Sequence, residues 1–80
     1  MNEEAKFIFD QLRADGYPLF INKKQYAEIV GLSVHSIDSY ITRGINLPNY
    51  KKLGEAKNAK VVFNLKDVAE FLASRTVQTA

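Results

Sequence analysis

Asn22-Lys23-Lys24-Gln25-Tyr26-Ala27-Glu28-Ile29-Val30-Gly31-Leu32-Ser33-Val34-His35-Ser36-Ile37-Asp38-Ser39-Tyr40-Ile41-Thr42-Arg43-Gly44 reads as two helices joined by a tight turn. Asn22 is a natural N-cap, and Gln25 three residues later completes a capping box. The spacing predicts a helix over 23–30, with Tyr26, Ala27, Ile29 and Val30 turned inward. Gly31 permits a sharp reversal, Leu32 is expected to plug the angle between the helices, and Ser33 caps the next one. That helix covers 34–43 and ends at Gly44. Val34, Ile37, Tyr40 and Ile41 are its apolar residues; His35, Ser36, Asp38, Ser39, Thr42 and Arg43 are polar and mostly short.

Working outward, Ala5, Ile8, Phe9 and Leu12 recur at i, i+3, i+4 and i+7, so residues 3–14 form an amphipathic helix. Asn2 caps it, and Glu3 and Glu4 suit the positive end of its dipole. Phe7 lies off the stripe, either on the surface or against another chain. Gly16 stops the helix, and Leu19-Phe20-Ile21 follows as a short extended segment. Beyond Leu47-Pro48, residues 49–53 and the β-branched stretch 60–63 predict a hairpin with Gly54–Ala59 at its tip. Asn64 caps a last helix with Leu65, Val68, Ala69 and Leu72 as its stripe, and residues 76–80 form a tail.

Helix, glycine turn, helix and basic hairpin together describe a mainly α fold with a small β-hairpin: a winged helix-turn-helix with an extra N-terminal helix. A short helical hairpin inside another bundle would give the same local pattern around Gly31. The 80 residues suffice for one domain, with an N-terminal extension over 1–18, a core over 19–75 and the tail. Ile37, Ile41, Leu32, Val68 and Leu72 are its expected core. Cysteine is absent, so disulfides and thiolate metal sites are excluded, and packing must supply the stability. Net charge is +2, but residues 1–20 carry −2 while residues 21–60 carry +4. Such asymmetry suits an anionic partner, although a merely solvated basic face would look the same. Met1-Asn2-Glu3-Glu4 lacks the features of a signal peptide, and Val61-Val62-Phe63 is too short to cross a bilayer, so a cytoplasmic protein without membrane contact is expected.

The residues from Asn22 to Pro48 resemble the excisionase and MerR-type DNA-binding domains. Ala27-Glu28, Gly31-Leu32-Ser33, Tyr40-Ile41, Gly44 and Leu47-Pro48 fit the family's pattern in order and spacing, and Val62-Phe63-Asn64-Leu65 through Leu72 resembles its closing strand and helix. The resemblance covers about residues 20–75 and implies groove insertion into duplex DNA. Two features depart from it: Asp38 stands where a basic residue is common, and the helix over 3–14 is additional to the minimal domain. MerR-type regulators continue into a dimerising helix and effector domain, whereas this sequence stops at Ala80. The expectation is therefore an excisionase-like factor that binds or bends attachment-site DNA beside an integrase. A small MerR-like regulator is the alternative.

By position, Val34, His35, Ser36 and Ser39 are the expected base contacts, because the first turns of such a helix enter the groove. Lys23, Lys24, Thr42, Arg43, Lys51, Lys52, Lys57 and Lys60 are the expected phosphate contacts. No enzyme is expected: His35, Asp38 and Ser39 share a helix face, but one helix supplies neither oxyanion hole nor substrate cleft. No cofactor or metal is expected either, given one histidine and scattered glycines. A protein-interaction module built on Phe7 and the first helix is the competing class, with RNA binding weaker for want of an aromatic strand motif. Several copies on adjacent sites are also expected, since one weakly charged copy binds weakly.

Overall fold

A computed structural model of the chain describes residues 2–54 and 60–74. Its elements follow the order α1 (Glu3–Ala14), β1 (Phe20–Asn22), α2 (Lys23–Val30), α3 (Val34–Arg43), β2 (Tyr50–Leu53), β3 (Lys60–Asn64) and α4 (Leu65–Ser74). The helix limits coincide with the caps read from sequence. Asn2 Oδ1 accepts from the Ala5 N–H at 2.7 Å, and Asn64 Oδ1 accepts from the Lys66 N–H at 2.8 Å. Each satisfies a donor that a helix start leaves without an intrahelical partner.

The β structure is larger than a hairpin. Three antiparallel strands lie in the order β1-β3-β2, so β3 is central. Phe20 pairs with Asn64 and Asn22 with Val62, while Tyr50 pairs with Phe63 and Leu53 with Lys60. The Leu65 N–H donates to the Leu19 carbonyl at 2.7 Å, tying the start of α4 to the approach of β1. Side chains alternate across the sheet. Ile21, Tyr50, Val61 and Phe63 face the helices; Phe20, Asn22, Lys51, Leu53, Lys60, Val62 and Asn64 face the other way.

Phe63, Ile21, Ile37, Leu65 and Val68 are the largest fully buried side chains. The Phe63 ring stacks on Tyr26 at 4.6 Å between centroids and meets Tyr50 at 5.8 Å, joining β3 to α2 and β2. Such aromatic pairs add about 0.5–1.5 kcal/mol each beyond the area they bury. α1 packs lengthwise on α4, and the buried positions Ala5, Ala69 and Ala73 are small enough for the two axes to come close. Leu12 belongs to the core cluster, with Ile8 and Phe9 packed against it, so α1 is built into the core. The Tyr17 hydroxyl donates to Glu28 at 3.4 Å; desolvation, Glu28 and Asp15 together raise its pKa above the ordinary value.

Three core expectations change. Leu32 is 41% exposed instead of filling the helix–helix angle. Its N–H turns back to the Ala27 carbonyl at 3.0 Å, which holds it on the outside of the turn while Ala27, Val30 and Ile37 supply the apolar contacts beneath. Ile41 and Leu72 are half-buried against the core, whereas Ile37 and Val68 are fully buried as expected. The expected hairpin tip beyond Gly54 and the tail over 76–80 lie outside the described residues.

Candidate nucleic-acid interface

The two helices around the turn are fixed by local hydrogen bonds. Asn22 Oδ1 accepts from the Gln25 N–H at 2.7 Å, and Gln25 Oε1 accepts from the Asn22 N–H at 3.0 Å, closing the capping box. Gly31 ends α2 at φ 73°, a left-handed conformation that costs glycine least. Ser33 then caps α3: its Oγ accepts from the Ser36 N–H at 3.1 Å and donates to the Ser36 hydroxyl at 3.1 Å. Gly44 closes α3 in the same left-handed way at φ 67°.

α3 is anchored by Ile37, which is fully buried, with Tyr40 and Ile41 packed on either side. The opposite face carries His35, Asp38, Ser39 and Thr42 at i, i+3, i+4 and i+7, with Arg43 at its C-terminal end, and all five are exposed. Val34 (39% exposed) lies at the start of the helix, beside the exposed Leu32. The result is a slim, polar helix face with an aliphatic corner.

Not every expected contact residue is equally available. Ser36 is half-buried and its hydroxyl is engaged by Ser33. The Thr42 hydroxyl donates to the Asp38 carbonyl at 3.0 Å, back-bonding into its own helix. The Lys23 ammonium sits 2.6 Å from the Asp38 carboxylate, so α2 and α3 are clasped and the charge of Lys23 is locally cancelled. Sequence reading placed Asp38 on the polar helix face and noted it where the resembling domains often carry a basic residue, but did not pair it with Lys23. Its pairing with Lys23 depends on the angle between two helices, for which no local signal exists. Lys24 and Arg43 are exposed and form no ion pair among the described residues.

The hairpin lysines divide between two faces. Lys52, opposite Val61, lies on the face that packs against the helices, whereas Lys51 and Lys60 lie on the outward face. Adjacent strand residues point in opposite directions, so Lys51 and Lys52 cannot follow one phosphate backbone together. Lys57 lies outside the described residues.

No protein-family model matches this chain, and no curated protein matches it either. Among the described residues, no group of three or more histidine and acidic side chains is placed to hold a metal ion. No helix among them is long and apolar enough to cross a membrane.

Proposed function

We propose that this chain binds duplex DNA as a winged helix-turn-helix, with α3 in the major groove. The observation that carries the reading is the outward face of α3: short and polar, ending in Arg43, and held to α2 across a three-residue turn capped at both sides. A major groove about 12 Å wide admits a helix, and side chains such as these can approach base edges there. The element order is compatible with the same reading: helix–strand–helix–helix–strand–strand, followed here by α4, with the outward face of α3 exposed.

In this pose His35 and Ser39 face the bases, Val34 offers an aliphatic contact, and Ser36 serves chiefly as a cap partner. Arg43, Lys24 and Lys52 supply phosphate contacts. The likeness to excisionases supports a role at attachment sites beside an integrase, with a small transcriptional regulator as the variant of the same activity. A DNA-bound protein of this kind would reside in the nucleoid. The test is duplex binding by fluorescence anisotropy over a salt series. Binding whose logarithm falls linearly with log salt supports the reading; no binding at low salt rejects it. A protein-interaction module is the second reading, favoured by Phe7, which is 64% exposed on α1.

A further inference from the structure

We propose that the aliphatic corner formed by Leu32 and Val34 reads the 5-methyl group of a thymine, which makes these two residues determinants of sequence preference. The inference rests on the duplex-binding reading above, and its test separates the two.

The corner is built by the backbone. Leu32 and Val34 are 41% and 39% exposed, although both are large and apolar. Gly31 takes the left-handed conformation at φ 73°, and the Leu32 N–H donates to the Ala27 carbonyl at 3.0 Å, which holds Leu32 outside. Between the two residues Ser33 is extended, at φ −82° and ψ 156°. Side chains two apart across an extended residue project to one side, so Leu32 and Val34 share a surface at the leading end of α3. Ser33 itself is pinned: its Oγ accepts from the Ser36 N–H at 3.1 Å, and its carbonyl accepts from the Ile37 N–H at 3.2 Å. A single exposed aliphatic residue needs no explanation. Two sharing a fixed surface, at the end of the helix that enters a groove first, call for one.

The chemistry of the groove selects the occupant. Leucine and valine side chains carry neither donor nor acceptor. Set against the N7, O6, O4 or amino edge of a base, they would strip water from a polar group and return no hydrogen bond, which is unfavourable. The thymine methyl is the apolar group that the major groove displays. The nearest hydroxyls are already engaged, since Ser33 donates to Ser36 at 3.1 Å. Reading by hydrogen bond therefore falls to His35 and Ser39 further round α3, and the corner adds a contact they do not make. A protein partner is less well served. A standard interface buries about 800 Å² on each side, whereas two side chains match a single methyl.

The probe is the duplex that the protein enriches from a randomised pool. Each thymine in it is replaced in turn by uracil, which removes the methyl and leaves the hydrogen-bonding groups in place. At the thymine that the corner meets, wild-type affinity is expected to fall about fourfold, the worth of one CH₂-sized group returned to water. Leu32→Ala with Val34→Ala should bind the thymine and uracil duplexes alike, with an unchanged salt slope because no phosphate contact is lost. Both positions are exposed, so this protein should fold, which circular dichroism checks. Each single alanine variant, a milder change, should show a reduced uracil effect. Replacing cytosines by 5-methylcytosine tests the other source of the same group and should not strengthen binding.

Equal affinity for thymine and uracil at every position, or a pool from which no sequence is enriched, overturns the proposal and leaves duplex binding standing. A uracil effect that survives in the folded variants also overturns it, because another residue then meets the methyl. A gain with 5-methylcytosine and no loss with uracil would refute thymine in favour of methylated DNA. No duplex binding at low salt rejects the α3 reading, and the proposal with it.

Discussion

Asp38→Asn isolates the clasp between the two helices of the candidate interface. Lys23 and Asp38 form a 2.6 Å pair with side chains 34% and 50% exposed. At that exposure an ion pair stabilises by only about 0.2–1 kcal/mol. In a domain of this size, 1 kcal/mol moves the melting temperature by roughly 4–8 °C, so the variant should remain folded at room temperature. For DNA the consequence is larger. Wild-type Lys23 is already occupied by a carboxylate, whereas in Asp38→Asn it is released at the N-terminal end of α2, next to α3. One additional phosphate contact steepens the slope of log K against log salt by about 0.9. Between 50 and 200 mM salt that is an extra loss of about 3.5-fold, on binding that starts tighter at low salt. Anisotropy titrations of one duplex at four or five salt concentrations resolve such a change. Lys23→Ala alone should barely alter the slope, and added to Asp38→Asn it should cancel the steepening. If Asp38→Asn folds and leaves the slope unchanged, or if the steepening survives in the double variant, Lys23 is not the cation that Asp38 restrains.

Three further outcomes are expected. Ile37→Ala, at a fully buried position, should cost about 2–5 kcal/mol, while half-buried Ile41→Ala should cost clearly less in the same urea melts; equal costs would contradict the burial of α3. Lys52→Ala, on the helix-facing side of the hairpin, should flatten the salt slope by about 0.9, and Lys51→Ala on the outward face should not; the reverse order would place DNA on the other side of the sheet. Ser39→Ala should change relative affinity among duplex sequences in a selection experiment while leaving the melt unaltered, and unchanged selectivity would remove Ser39 from the base-reading face.

Local chemistry was legible in the sequence, and geometry built from distant parts was not. The limits of α1, α2 and α3 follow from Asn2, Asn22, Ser33, Gly31 and Gly44, because a cap acts within one turn of its helix. The extended run at Leu19-Phe20-Ile21 was legible, but its place as an edge strand was not, because β1 joins the sheet only by pairing with residues 62–64, far along the chain. Leu32 read as core because leucine in a helical turn usually packs inward, but the left-handed Gly31 turns it outward. The exposed stripe His35, Ser39 and Thr42 was visible from spacing alone. That Thr42 spends its hydroxyl on its own helix, that Lys23 is held by Asp38, and that the hairpin lysines split between two faces all required the packed structure.

Backbone amide mapping by nuclear magnetic resonance tests duplex binding through α3 most directly. Spectra of the labelled protein would be recorded as a mixed-sequence duplex is added at low salt. The account predicts shifts concentrated in residues 34–43, with Lys24 and Lys52, and little change at Phe20, Val62 and the outward sheet face. No shifts at all, or shifts confined to α1 around Phe7 or to the outward sheet face, would contradict it.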